Sequence, residues 1–99
     1  MDIKKLDRIR RRLDSLRLKR GIKPIKLEAV ARALGRVRHK RGKEPTWVNE
    51  NMPELRPLTI PHHSTDLNRF TAASILDQLE GDIDRIEETL KKSKREEVA

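Results

Sequence analysis

Two amphipathic segments, one near each end of the chain, carry matching apolar stripes and opposite charge. From Met1 to Arg20, Ile3, Leu6, Ile9, Leu13 and Leu16 recur at steps of three and four, the signature of one helix face. The remaining faces hold Lys4, Lys5, Arg8, Arg10, Arg11, Arg12 and Arg17. Near the other end, Ile75, Leu76, Leu79, Ile83, Ile86 and Leu90 repeat with near-heptad spacing, flanked by Asp77, Glu80, Asp82, Asp84, Glu87 and Glu88. Opposed stripes of complementary charge predict that the two helices pack together, within one chain or between two.

The charge asymmetry extends beyond the helices. Residues 1–43 hold 17 Lys/Arg against 4 Asp/Glu, a net +13, while residues 44–99 hold 7 against 12, a net −5. A basic half of this density is suited to a polyanion, nucleic acid before membrane. Leu, Ile, Val and Phe number 25 of 99 residues, enough for a modest single core. There is no cysteine, which excludes disulfides, thiolate metal sites and thiol catalysis. No apolar run nears the roughly 20 residues that cross a bilayer, and no signal-peptide core is present. The expectation is a soluble cytoplasmic protein.

Between the end helices the periodicity predicts a mixed core. Lys26 to Leu34 reads as a short helix, with Leu27, Val30, Ala31 and Leu34 on one face and Gly35 placed for a left-handed cap. Arg36 to Arg41 then alternates, with Val37 and His39 expected on the inner face and Arg36, Arg38 and Lys40 on the outer. Thr46-Trp47-Val48 suits a second strand, and Leu58-Thr59-Ile60, held between prolines, a short third. A final helix is expected from near Thr71 as N-cap, with residues 93–99 as an aperiodic, frayed tail. The fold class is therefore α+β. It comprises a three-stranded antiparallel sheet with helices packed on one face, plus an extra N-terminal helix and an extended C-terminal one. Three regions follow: a basic helix at 1–21, an αβββα core at 26–80, and an acidic extension at 81–99.

Leu58-Thr59-Ile60-Pro61-His62-His63, then Asp66-Leu67, then Thr71 and Ser74-Ile75-Leu76, resembles the Val-Thr-Val-Pro-x-His run, downstream Leu and Thr-x-x-Ser-Ile helix opening of the HicA family of toxin–antitoxin toxins. The resemblance spans residues 26–80 and is moderately specific, because the pieces occur together and in order. It implies a fold related to double-stranded RNA-binding domains. It also implies a messenger-RNA-cleaving activity (an endonuclease, or mRNA interferase) and neutralisation by a HicB-like antitoxin. The family uses a histidine within a Gly-Ser-His-His-x-aromatic segment. Here that segment is Gly42-Lys43-Glu44-Pro45-Thr46-Trp47, so Glu44 stands at the usual catalytic position.

Metal-free RNA cleavage needs a base for the 2′-hydroxyl proton, an acid for the leaving oxygen and cations for the phosphorane. Of His39, His62 and His63, only His63 matches the family's Pro-x-His position, making Glu44 as base with His63 as acid the candidate catalytic pair. Each has a plainer reading, Glu44 as a solvated turn residue and His63 as an organiser of its loop. A metal site at His62 and His63 is disfavoured, since adjacent extended residues point apart and no third ligand is evident. No cofactor is expected. Arg36, Arg38, Lys40, Arg41 and Lys43 are the candidate nucleic-acid-binding residues, forming a cationic strand face and turn that would grip phosphates. Trp47 is expected in the core rather than on a base-stacking surface. Two functions stay open. One is a HicA-like RNA-binding protein, with or without cleavage. The other is a non-enzymatic interaction module whose paired end helices and basic surface dock an acidic partner, with homo-oligomerisation through the end helices also conceivable.

Overall fold

In the computed structural model, which describes residues 1–40 and 45–98, Asp2 opens the first helix. Its Oδ1 accepts the Lys5 N–H (2.8 Å) and so satisfies one of the free donors at the N-terminus of α1 (Ile3–Arg17). Pro24 starts α2 (Pro24–Ala33), where its missing N–H is of no consequence. That helix closes as a Schellman motif. Gly35 takes φ +94°, the Arg36 N–H reaches the Ala31 carbonyl (2.9 Å), and the Gly35 N–H reaches that of Arg32 (3.0 Å).

Three antiparallel strands follow in sheet order β1-β2-β3: β1 (Val37–Lys40), β2 (Pro45–Val48) and β3 (Leu58–Thr59). Arg38, Trp47 and Leu58 form one cross-strand row, and His39, Thr46 and Thr59 the next. Trp47 and Leu58 are buried in the helix-facing core, so the first row points inward. The inward and outward assignment along β1 is thus the reverse of the sequence expectation: Val37 is 42% exposed, whereas Arg36 is buried.

The last helix, α3 (Arg69–Val98), begins two residues before Thr71. Asn68 supplies the opening contacts: its Oδ1 accepts the Phe70 N–H (2.8 Å) and its carbonyl accepts the Ala72 N–H (2.9 Å). The backbone stays helical to Val98, so the expected irregular tail is not seen. Antiparallel to it lies α1, whose Leu6, Ile9, Leu13 and Leu16 join Ile75, Leu76, Leu79, Ile83 and Ile86 in one core cluster with Leu27, Val30, Trp47 and Ile60. The end helices therefore pair within a chain. The architecture is α+β, with three helices and one antiparallel sheet. Among the described residues no helix is long and apolar enough to cross a membrane.

Candidate nucleic-acid interface

The arginines of the basic half are divided by the fold. Arg10 pairs with Asp84 (3.2 Å) and Glu87, and Arg17 with Asp77 (2.9 Å) and Glu80 (2.7 Å). Both sit on the α1 flank that meets α3, one helical repeat of seven apart. Lys4, Lys5, Arg8, Arg11 and Arg12 lie elsewhere around α1, and Lys19 just past its end; all are exposed and form no ion pair among the described residues. Lys5, Arg8 and Arg12 follow one another along a single side. At 1.5 Å per residue they span about 10 Å. That length matches about three phosphates at about 3.4 Å of axis each.

This stripe leads to a cleft of about 320 Å³ between the end of α1 and the first turns of α3. Lys19, Arg20 and Arg69 rim it, above a floor that includes Ile22, Leu67 and Leu76. The two segments meet closely. The Leu67 N–H donates to the Ile22 carbonyl (2.8 Å), and a Cβ on Gly21 would lie 2.2 Å from an Asp66 carboxylate oxygen. Phe70, 80% exposed, lines a separate depression against β3 with Pro57, Thr59 and Ser74, whereas Trp47 is fully buried beneath the Arg32 guanidinium, 4.9 Å from its ring centre. Phe70 is therefore the only exposed residue among the Phe, Tyr and Trp of the chain.

The expected binding face on β1 needs correction. Arg36 and Asp82 are each 2% exposed and form a bidentate pair, Nε to Oδ2 at 2.6 Å and Nη2 to Oδ1 at 2.9 Å. Arg36 Nη1 also donates to the Trp47 (2.8 Å) and Arg56 (2.9 Å) carbonyls. Its donors are spent inside the protein, so it cannot meet a phosphate. Arg38 is exposed because β1 is an edge strand, where the helical cover ends. Lys40 pairs with Pro45 through the backbone, and Arg41, Lys43 and Glu44 lie outside the described residues.

His63 is exposed in the loop after β3, with its Nδ1 3.0 Å from Thr65 Oγ1. His39 lies on the outward sheet face, its Nε2 3.2 Å from Glu50 Oε1. Two buried polar residues escaped sequence reasoning. Asn49 accepts the Asn51 (3.0 Å) and Met52 (3.1 Å) N–H groups and donates to the Leu34 carbonyl (3.4 Å), tying the loop after β2 to the end of α2. Glu28 sits buried on α2, with His62 Nδ1 3.6 Å from its Oε2. No local pattern marks Glu28, whose partner is distant in sequence, whereas Asn49 turns back onto Asn51 and Met52, a local turn signal that an Asn before an irregular segment carries. Among the described residues no three or more His, Asp or Glu side chains gather as a metal site would require. No protein-family model matches this chain, and neither does any curated protein or solved structure.

Proposed function

We propose that this chain is a HicA-like RNA-binding protein of the cytoplasm, directed at messenger RNA, that holds ribose-phosphate strands along α1 and the cleft at its end. The observation that carries the reading is the division of charge on α1. The flank against α3 is neutralised by carboxylates, and the outward side keeps Lys5, Arg8 and Arg12 without ion pairs among the described residues over about 10 Å. An unpaired ridge of this kind draws in a polyanion and exchanges condensed counterions for its own charges. With a single exposed aromatic, Phe70, stacking is limited to about one base, so affinity comes from the backbone and little from sequence. The helix, three strands, helix order after α1 supports the HicA resemblance.

Less supports the interaction-module reading, because the apolar stripes of the end helices are already used against each other. An acidic protein, such as the HicB-like antitoxin implied by the resemblance, would compete with RNA for the same cations. The test is binding of a single-stranded RNA oligonucleotide across a salt series. Replacing Arg8 and Arg12 together by Glu is expected to weaken binding more than tenfold at low salt. It should also lower the log–log salt slope by about 1.4, two contacts at about 0.7 each. Unchanged affinity in that double variant would remove α1 from the interface. Tight binding to an acidic protein with none to RNA would replace the proposal by its rival.

A further inference from the structure

Glu28 is an unusual residue for this fold to bury. Its side chain is 5% exposed, and no hydrogen bond reaches its carboxylate among the described residues. The one ionisable group against it is His62, whose Nδ1 lies 3.6 Å away while the ring remains 60% exposed. A carboxylate held this far from water beside one ionisable neighbour is less favourable there than a neutral or apolar side chain. Such costs collect at functional sites, where a buried charge next to a titratable partner in contact with solvent sets up proton transfer.

The loop holds His62 in place at both ends. Upstream, Ile60 is buried and its N–H donates to the Pro45 carbonyl (3.4 Å); Pro61 then restricts the backbone. Downstream, Leu67 is buried and fastened to the Ile22 carbonyl just ahead of α2, the helix that carries Glu28. His63, by contrast, has its Nδ1 engaged by Thr65 within the loop.

We infer that His62 and Glu28 form a proton-transfer pair that cleaves the RNA bound by this protein, with His62 as general base and Glu28 as its positioning residue. The inference rests on the RNA-binding reading above. In the proposed pair, Glu28 accepts the His62 Nδ1–H once the two close from 3.6 Å to hydrogen-bond distance, which leaves Nε2 unprotonated, the arrangement by which a carboxylate selects one imidazole tautomer. The 3.6 Å separation is of the kind that shortens when substrate arrives. Nε2 takes the proton of a ribose 2′-hydroxyl as O2′ forms a bond to the adjacent phosphorus and the P–O5′ bond breaks. The departing O5′ takes a proton from solvent water, and the hydroxide so formed recovers a proton from the His62 imidazolium. The products are a 2′,3′-cyclic phosphate and a 5′-hydroxyl, with no net change in protonation and no metal required.

The test uses the full chain with an end-labelled single-stranded RNA in EDTA, and the same sequence as 2′-O-methyl RNA for binding. Wild type is expected to cut the RNA to cyclic-phosphate ends and to bind the 2′-O-methyl strand uncut. His62→Ala should lower the cleavage rate by about 100-fold or more, leave the Kd for the 2′-O-methyl strand within twofold, and regain activity with added imidazole. Glu28→Gln should slow cleavage by about tenfold or more at unchanged Kd. If that variant fails to fold, the nitrogen-15 shifts of His62 in wild type serve instead, with an Nδ1–H tautomer expected. RNA bound but left intact by wild type, full activity in His62→Ala, or an Nε2–H tautomer would each overturn the pair. Loss of activity in His63→Ala with His62→Ala intact would do so too, in favour of the Pro-x-His position. Failure of wild type to bind RNA at all would overturn the RNA-binding reading along with it.

Discussion

Arg36 shows how a residue's role is set by what surrounds it. Its guanidinium meets Asp82 in bidentate geometry and two backbone carbonyls besides, joining the start of β1, the Trp47 strand, the Arg56 loop and α3. Removing one member of a buried pair strands the other charge, at a cost of about 3–5 kcal/mol. Arg36→Ala is expected to destabilise the fold by that amount, read as a lowered urea midpoint from the emission of Trp47, the single tryptophan. The double replacement Arg36→Met with Asp82→Leu should recover most of the loss, because no charge is then left buried. A double variant no more stable than Arg36→Ala would show that the carbonyl contacts, rather than the ion pair, carry the stabilisation. Trp47 Nε1 is itself buried without a partner, so its burial rests on the packing of the ring alone.

At the scale of the elements, two glycines make opposite predictions. Gly81 lies within α3 with open space where a Cβ would stand, so Gly81→Ala should stabilise the protein by about 0.5–1 kcal/mol, seen as a higher Tm. Gly35 holds the left-handed position of the α2 cap, and Gly35→Ala should lower the Tm by a cost of about 1–2 kcal/mol. The α1–α3 pairing carries a pH signature. Glu87 is held below its ordinary carboxylate range, chiefly by the hydrogen bond and charge of Lys91, with Arg10 adding to them. A depressed carboxylate stabilises the folded state above its unfolded value of about 4.3, and that contribution is lost as pH falls through the folded value. Acid unfolding should therefore weaken wild type below about pH 4.3 more than it weakens Glu87→Gln. Parallel pH–stability curves for the two proteins would show that the contacts of Glu87 with Lys91 and Arg10 contribute nothing to folding.

For the whole molecule, α1 is part of the core and not an appendage. Four buried side chains at about 1.5–3 kcal/mol each amount to roughly 6–12 kcal/mol, comparable with the whole stability of about 5–15 kcal/mol expected at this size. A fragment beginning at Ile22 should lack the cooperative urea transition of the full chain and aggregate through the bared stripe of α3. A fragment with full-length stability would instead make α1 a separable arm. The same helix thus closes the core on one side and offers its cations on the other, which couples the proposed RNA interface to folding. Deleting it would abolish both together, so the interface is better tested by charge reversal at Arg8 and Arg12.

Periodicity and charge alone determined the helices, the order of the three strands and that the end helices would pair, though not that they would do so within one chain, because each is written in local spacing or in the sign of neighbouring residues. The alternation from Arg36 to Lys40 separated two faces correctly, but charge alone put the arginine face outside, and the fold turned it inward. An arginine is admitted inside only when a carboxylate waits there, and Asp82 is 46 residues away. The same limit applies to Glu28 and His62, and to the separation of neutralised from free cations on α1. Helical spacing is a property of the chain itself, whereas the pairing of buried charges depends on which distant segments the fold brings together.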